Sequence, residues 1–355
     1  MGVSYIEIGP EDAGRRLDRF LRERFPGLGQ GRIERMCRRG ELRLDGARVR
    51  ASTRLEAGAR LRIPPLPPEA REPARARPAA PTAGRGLTEA DAEMIRSCVL
   101  WQDRHIIAIN KPPGLPSQGG SGQGGRHVDA LVAALAEPGQ DKPRLVHRLD
   151  KDTSGVMLLA RTGSAARRLS EALRSRAVRK IYWALVVGVP RPRMGTVRWG
   201  LLRPEGRGPG HERVQLVHPE RVASTPGARR ATSDYAVIDA AGRRAAWVAL
   251  VPVTGRTHQL RAHMAAIGHP IVGDTRYGGV DLTGEGHARE AILGGEISRK
   301  LHLHARSITF PHPGTGRMVT LKAPLPDHMA RSFALLGFDP DAAPDDPFAD
   351  EEDGA

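Results

Sequence analysis

The sequence predicts an α+β protein in two parts, a small helix-rich module followed by a larger body built mainly of short strands. Three observations carry that reading. Apolar residues fall at helical spacing within residues 14–64, seven prolines crowd residues 64–81, and short apolar runs broken by Gly and Pro fill residues 88–326 with only two convincing helices. At 355 residues the chain has room for one catalytic domain of ordinary size plus an accessory module, since domains cluster near roughly 100 to 150 residues.

The first module is expected over 14–64. Leu17, Phe20, Leu21 and Phe25 mark one face of a short amphipathic helix, ended by Pro26 and Gly27. Ile33, Met36 and Cys37 mark a second, closed by Gly40 as a C-terminal cap, and Leu42 and Leu44 lead into an Asp45-Gly46 turn. Residues 14–62 carry fifteen Arg against six acidic side chains, dense enough to read a phosphate backbone, although such arginines can also merely solvate a small domain. Residues 65–87 read as a Pro/Arg-rich linker, too poor in apolar residues to form a core. In the body, 88–336, residues 105–110 and 156–160 are strand candidates, the first followed by the rigid turn Lys111-Pro112-Pro113-Gly114. Ala165, Leu169 and Leu173 mark one helix; Leu260, Met264 and Ile267 mark the other, ended by Gly268 and Pro270. Residues 337–355 are an acidic tail, expected to be disordered.

Composition narrows the function classes. The apolar fraction is 39%, charged residues make up 27%, and no apolar run approaches the about 20 residues needed to span a bilayer. Net charge is +15 and pI about 10.9, so polyanions are favoured neighbours. The body is more basic than this total, because residues 338–355 hold eight acidic residues and no basic ones. Arginine outnumbers lysine by 49 to 6, which gives phosphate binding that does not titrate. Cys37 and Cys98 lie far apart among apolar neighbours, which argues against a disulfide framework or a cysteine metal site and fits a reducing compartment. The first residues carry no export signal, so the expected location is cytoplasmic.

Three clusters carry chemistry. Residues 147–155, HRLDKDTSG, form a polar run immediately before an apolar strand, where loops hold reactive groups on rigid scaffolds. The basic residues there would keep a carboxylate ionised, fit to act as nucleophile or base; a turn capped by Asp152 or Thr153 is the plainer alternative. In residues 253–261, VTGRTHQLR, Gly255 permits a tight turn, Thr257 is placed to cap the following helix, and Arg256 is suited to pair with a carboxylate. In residues 180–188, KIYWALVVG, strand alternation puts Tyr182, Ala184 and Val186 on one face, so that Tyr182 serves either as core or as a stacking platform for a base.

Residues 15–64 resemble the S4 domain, an αL-type RNA-binding module. The rest of the chain resembles the pseudouridine synthases of the RluA type, in particular the RluC-like group acting on large-subunit ribosomal RNA. HRLDKDTSG, KIYWALVVG, TGRTHQLRAH, NKPPGL, GHPIVGDTRYG, and LHAR with FPHP follow the order of that family. The resemblance implies a mixed, mainly antiparallel sheet flanked by helices, with the active site in a basic cleft across it. It implies isomerisation of uridine to pseudouridine in large-subunit ribosomal RNA without metal, redox or small-molecule cofactor; the expected state is a monomer. Asp150 corresponds to the catalytic aspartate, Tyr182 to the active-site tyrosine, Arg256 to the arginine paired with the aspartate, and Arg148 to the arginine that displaces the target base. The neighbouring His147, Leu149, Lys151, Thr257 and His258 are expected to contact substrate. The rival from another class is a noncatalytic RNA-binding or ribosome assembly factor, which needs no such Asp, Tyr and Arg set. A metal nuclease would need a third ligand beside His302 and His304, and a serine hydrolase a G-x-S-x-G elbow that Ser154 lacks.

Overall fold

The computed structural model describes residues 3–66, 70, 87–119, 125–204, 213–278, 296–344 and 346–348. It divides into two compact units, residues 1–83 and 84–355. The connector expected over 65–87 lies almost wholly outside the described residues, as do 120–124 and the tail beyond 348.

In the first unit, β1 (Ser4–Glu7), α1 (Leu17–Arg24), α2 (Gln30–Arg39), β2 (Arg43–Leu44), β3 (Ala47–Arg48) and β4 (Arg60–Ile63) follow in order. Leu17, Phe20 and Leu21 of α1 and Ile33, Met36 and Cys37 of α2 are buried in one core, while Arg19, Arg35 and Arg38 on the opposite faces are exposed. Gly40 ends α2 in the left-handed region at φ 68°. The strands form an antiparallel sheet in the order β1-β4-β2-β3. The unit therefore starts before Gly14, because β1 pairs with β4, Ser4 opposite Ile63. It also extends past Pro64, since Ala70 is buried in the same core.

The second unit is a mixed sheet. Its elements are α3 (Glu89–Ser97), β5 (Val99–Gln102), β6 (Ile106–Lys111), α4 (Val128–Leu131), β7 (Arg144–Leu145), β8 (Ser154–Ala160), α5 (Gly163–Arg174), β9 (Arg179–Val187), β10 (Met194–Leu202), β11 (Gln215–Val217), β12 (Arg229–Ala241), β13 (Ala245–Pro252), α6 (Gln259–Ala266), β14 (Leu303–Pro311), β15 (Met318–Lys322) and α7 (Asp327–Leu336). Among the described residues the strand order is β11-β10-β12-β13-β9-β14-β8-β6-β5, with β15 on β14 and β7 on β8. Every pairing is antiparallel except β8 with β14. The expected mixed, mainly antiparallel sheet is thus present, and β14 stands in its middle.

Strand alternation builds both faces. Ala184 and Val186 of β9 pack with Leu260 and Met264 of α6, Tyr182 lying at the edge of that cluster. Ile181, Trp183 and Leu185 face the other way, toward Trp247, Met329 and Phe333. The indoles of Trp183 and Trp247 meet edge to face at 4.6 Å, a favoured aromatic geometry. The described residues of the tail, 337–344 and 346–348, depart from the expected disorder: Phe338 is buried against Trp247, and Ala343 and Phe348 pack on the same cluster. These apolar residues, with the contact of Asp346 to Arg179, dock that part of the acidic stretch.

His302 and His304 serve the architecture. His304 Nε2 donates to the Ala323 carbonyl at 3.2 Å, which leaves Nδ1 to accept from Ser154 Oγ at 2.9 Å. His302 bonds the Lys300 carbonyl and Ser332 Oγ, each at 2.8 Å. Among the described residues no cluster of three or more His, Cys, Asp or Glu is placed to hold a metal, and no helix is long and apolar enough to cross a membrane.

Candidate active site

Four strands share one row. Ala305 of β14 lies opposite Gly155 of β8 on one side and Tyr182 of β9 on the other, and Tyr182 lies opposite Leu250 of β13. The signature loop ends at Gly155 and β13 leads into the loop before α6, so this row brings the three sequence clusters together. Gly155 has φ 113°, and a Cβ there would lie 2.3 Å from the Ala305 carbonyl oxygen. Only glycine allows so close an approach.

The backbone on either side of Asp150 is pinned. Ser117 Oγ donates to the Leu149 carbonyl at 2.6 Å and accepts from the Leu149 N–H at 3.0 Å. Lys111, fully buried, donates from Nζ to the carbonyls of Pro112, Leu115 and Lys151 at 2.9, 2.9 and 3.0 Å. Burial pulls the Lys111 pKa down to about 7, opposed by the nearby carboxylates of Asp152 and Asp150. Three carbonyl acceptors match the three donors of an ammonium, so the site is built for the charged form.

A pocket of about 290 Å³ opens above this row, lined by His147, Arg148, Leu149, Asp150, Tyr182, Arg256, Thr257, His258 and Arg261 among others. Asp150 is partly exposed in it. The group that faces its carboxylate is Arg261, with Nη1 3.8 Å from Oδ2. Arg261 is itself held by Asp274, Nε and Nη2 each donating at 2.7 Å to a different carboxylate oxygen. Burial works against the Arg261 charge, but the bonds and charge of Asp274 outweigh it and raise the pKa. The Asp274 carboxylate also accepts from the N–H groups of Arg276 and Tyr277, so the GDTRY segment serves as a clamp.

His258 stands beside this pair, its Nε2 3.9 Å from Asp150 Oδ2. Burial lowers its pKa, with Asp150 pulling the other way. The Tyr277 hydroxyl accepts from the Val214 N–H at 2.9 Å and lies 3.1 Å from His258 Nδ1. A neutral His258 that accepts this hydroxyl proton at Nδ1 carries its own proton on Nε2, toward Asp150. Tyr182 is half-buried, and burial together with the Asp150 charge pushes its hydroxyl pKa up, so it remains a donor.

Several expected roles move. The pairing assigned to Arg256 belongs to Arg261: Arg256 sits exposed in the turn before α6 and makes no ion pair among the described residues, whereas Arg261 lies one turn into a helix buried nearly all round. Thr257 does not cap α6; its Oγ1 accepts from Arg148 Nη2 at 3.2 Å, and the Arg256 N–H is taken by Gln259 Oε1 at 3.1 Å. Lys151 is exposed outside the pocket lining and contributes its carbonyl instead. His147 lines the pocket, but Nε2 accepts from the Leu158 N–H at 2.9 Å, and burial lowers its pKa to about 3, with Lys180 adding to the shift. Sequence reasoning gave no role to Arg261, Asp274, Ser117 or Lys180. For Arg261, Asp274 and Lys180 the signal was present, since all three lie in quoted segments.

A carboxylate on a pinned loop, a guanidinium clamped toward it and a half-buried tyrosine meet at one pocket on a mixed sheet, an arrangement fit for nucleophilic or acid–base chemistry. Comparison with known proteins identifies the family. The family described as RNA pseudouridylate synthase matches residues 105–266. "Ribosomal large subunit pseudouridine synthase C" of Salmonella typhimurium (strain LT2) is 35% identical over 334 residues, covering 94% of this chain and 97% of that protein. The protein of the same name from Escherichia coli (strain K12) is 34% identical over the same coverage. The solved structure of Human RNA Pseudouridylate Synthase Domain Containing 4 is 30% identical, covers 69% of this chain and 95% of its own, and superposes with a TM-score of 0.56. The chain belongs to the RNA pseudouridylate synthase family.

Proposed function

We propose that this enzyme converts selected uridines of large-subunit ribosomal RNA to pseudouridine, with Asp150 as the carboxylate that acts on the target nucleotide. The meeting of Asp150, Arg261 and Tyr182 at one pocket carries this reading. The names of the two bacterial relatives support the choice of RNA. The reaction breaks the N1–C1′ glycosidic bond, turns the uracil while it is held, and joins C5 to C1′. The C5 proton leaves, N1 takes one up, and no other group is gained or lost. Asp150 serves as nucleophile or base, and Arg261 supplies the fixed positive charge beside it.

The target must first leave its stack, at a cost of a few kcal/mol. Arg148, exposed at the pocket mouth and steadied by Thr257, is suited to fill the vacated place. Tyr182 offers its ring to the flipped base. The arginine-rich module of residues 14–64, S4-like in its order of two helices and a hairpin, holds the RNA through its phosphates. Two free cysteines, Cys37 buried, fit a reducing, cytoplasmic setting.

The test is tritium release from large-subunit ribosomal RNA labelled at uridine C5, since C5 loses its hydrogen only on becoming the glycosidic carbon. Wild type should release tritium and Asp150→Asn none, both retaining RNA binding. Binding without release by either protein, on ribosomal or transfer RNA, would make the chain a binding factor instead.

A further inference from the structure

A second cavity, of about 610 Å³, adjoins the catalytic pocket. The two share Lys180, Pro252, Thr254 and Gly255, so the start of β9, the end of β13 and the turn that follows separate them. Arg176, between α5 and β9, and Arg179 and Lys180, at the start of β9, make its basic wall. Lys180 forms no ion pair among the described residues. On β10 and β12, Thr196 and Asp234 also line the cavity, the Thr196 hydroxyl donating to one oxygen of the Asp234 carboxylate at 2.7 Å.

The acidic C-terminal segment reaches this cavity. The Asp346 carboxylate lies 2.7 Å from Arg179 Nη2. Phe348 lines the cavity, its ring centroid 5.9 Å from the Arg179 guanidinium carbon. A carboxylate on a guanidinium, with an aromatic ring against the same group, reproduces the two contacts a nucleotide makes through its phosphate and its base. Arg179 and Asp346 are each a third or more exposed, so their contact is weak enough to be exchanged for a phosphate.

We propose that this cavity is a subsite for a nucleotide next to the target uridine in the RNA strand, and that Asp346 and Phe348 occupy the places of its phosphate and base until RNA displaces them. The proposal rests on the reading that the Asp150 pocket takes a uridine flipped from RNA. A nucleotide flipped into that pocket keeps its neighbours one backbone repeat away, and the shared wall puts this cavity beside it. The geometry makes the tail a competitor of substrate at a defined place, with Arg179 as the contested group.

The experiment measures KM for C5-labelled large-subunit ribosomal RNA with the full-length chain. Asp346→Asn combined with Phe348→Ala should lower KM by about three- to tenfold, the worth of an exposed ion pair together with a cation–π contact. Asp341→Asn, which removes one charge elsewhere in the same segment, should leave KM where it was. Arg179→Gln should raise KM and abolish the effect of the double variant, because both competitors lose their shared partner. Structural damage raises KM or lowers kcat, so a fall in KM separates displacement from damage. An unchanged or higher KM in the double variant, or an equal fall with Asp341→Asn, overturns the subsite. Release of tritium by wild type tests the underlying reading first: no release overturns that reading and the subsite with it, whereas release with an unchanged KM in the double variant overturns the subsite alone.

Discussion

The two arginines of the 253–261 segment differ in burial and therefore in what their loss does. Arg261→Lys keeps a positive charge but cannot make the two parallel bonds to Asp274, so its head shifts relative to Asp150. A displacement near 1 Å costs on the order of 10²-fold in rate, so kcat for tritium release should fall by about that factor. Arg256→Gln, at an exposed position on the pocket rim, should mainly raise KM. The reverse pattern in the two variants would restore Arg256 as the partner of Asp150. The loop of Asp150 stood out as a polar run before an apolar strand, but such a run also fits a capped turn, and it was the family resemblance that singled out Asp150. Choosing between the arginines was not possible from spacing: Gln259, Leu260, Arg261, Ala262, His263 and Met264 are all buried, so α6 has no polar face to show which side looks inward.

At the scale of elements, the site depends on how β8 and its preceding loop are seated. Gly155→Ala places a methyl into the Ala305 backbone at a positive φ, and strain with overpacking should lower stability by at least about 3 kcal/mol in urea unfolding. A loss below about 1 kcal/mol would show that β8 and β14 can part at this point without consequence. Ser117→Ala leaves the buried N–H and C=O of Leu149 without their partner. We expect kcat to fall about tenfold with a smaller change in KM, because the loop loses its alignment and not its charge. A change confined to KM would assign Ser117 to RNA contact. Strands with alternating apolar residues, β9 above all, could be read directly. β1 could not: its SYIE is mostly exposed on both faces and gains its place only by pairing with β4. The docked tail escaped for a similar reason, since its few apolar residues are too widely spaced to show a period.

Across the whole molecule, acid should act through buried histidines. His263, His302 and His304 are fully buried, and burial lowers each pKa to about 4 from the ordinary 6.5. The unfolded chain takes up these protons as pH falls through 6.5, while the folded one resists until about 4, so stability drops across that window. Three such groups give roughly 4 kcal/mol per pH unit at the steepest, and the urea midpoint of the second unit should fall sharply between pH 7.5 and 5. A midpoint that holds steady over that range would mean that these rings are hydrated or already charged in the native state. The position of β14 has a consequence in time. It is made about 140 residues after β8, yet it joins β8 to β9, so the halves of the sheet cannot close until it emerges. At 5 to 20 residues per second that wait is on the order of ten seconds. For that interval a nascent chain carries its arginine-rich module complete and the Asp150 loop already made, but no catalytic pocket: competence arrives late in synthesis.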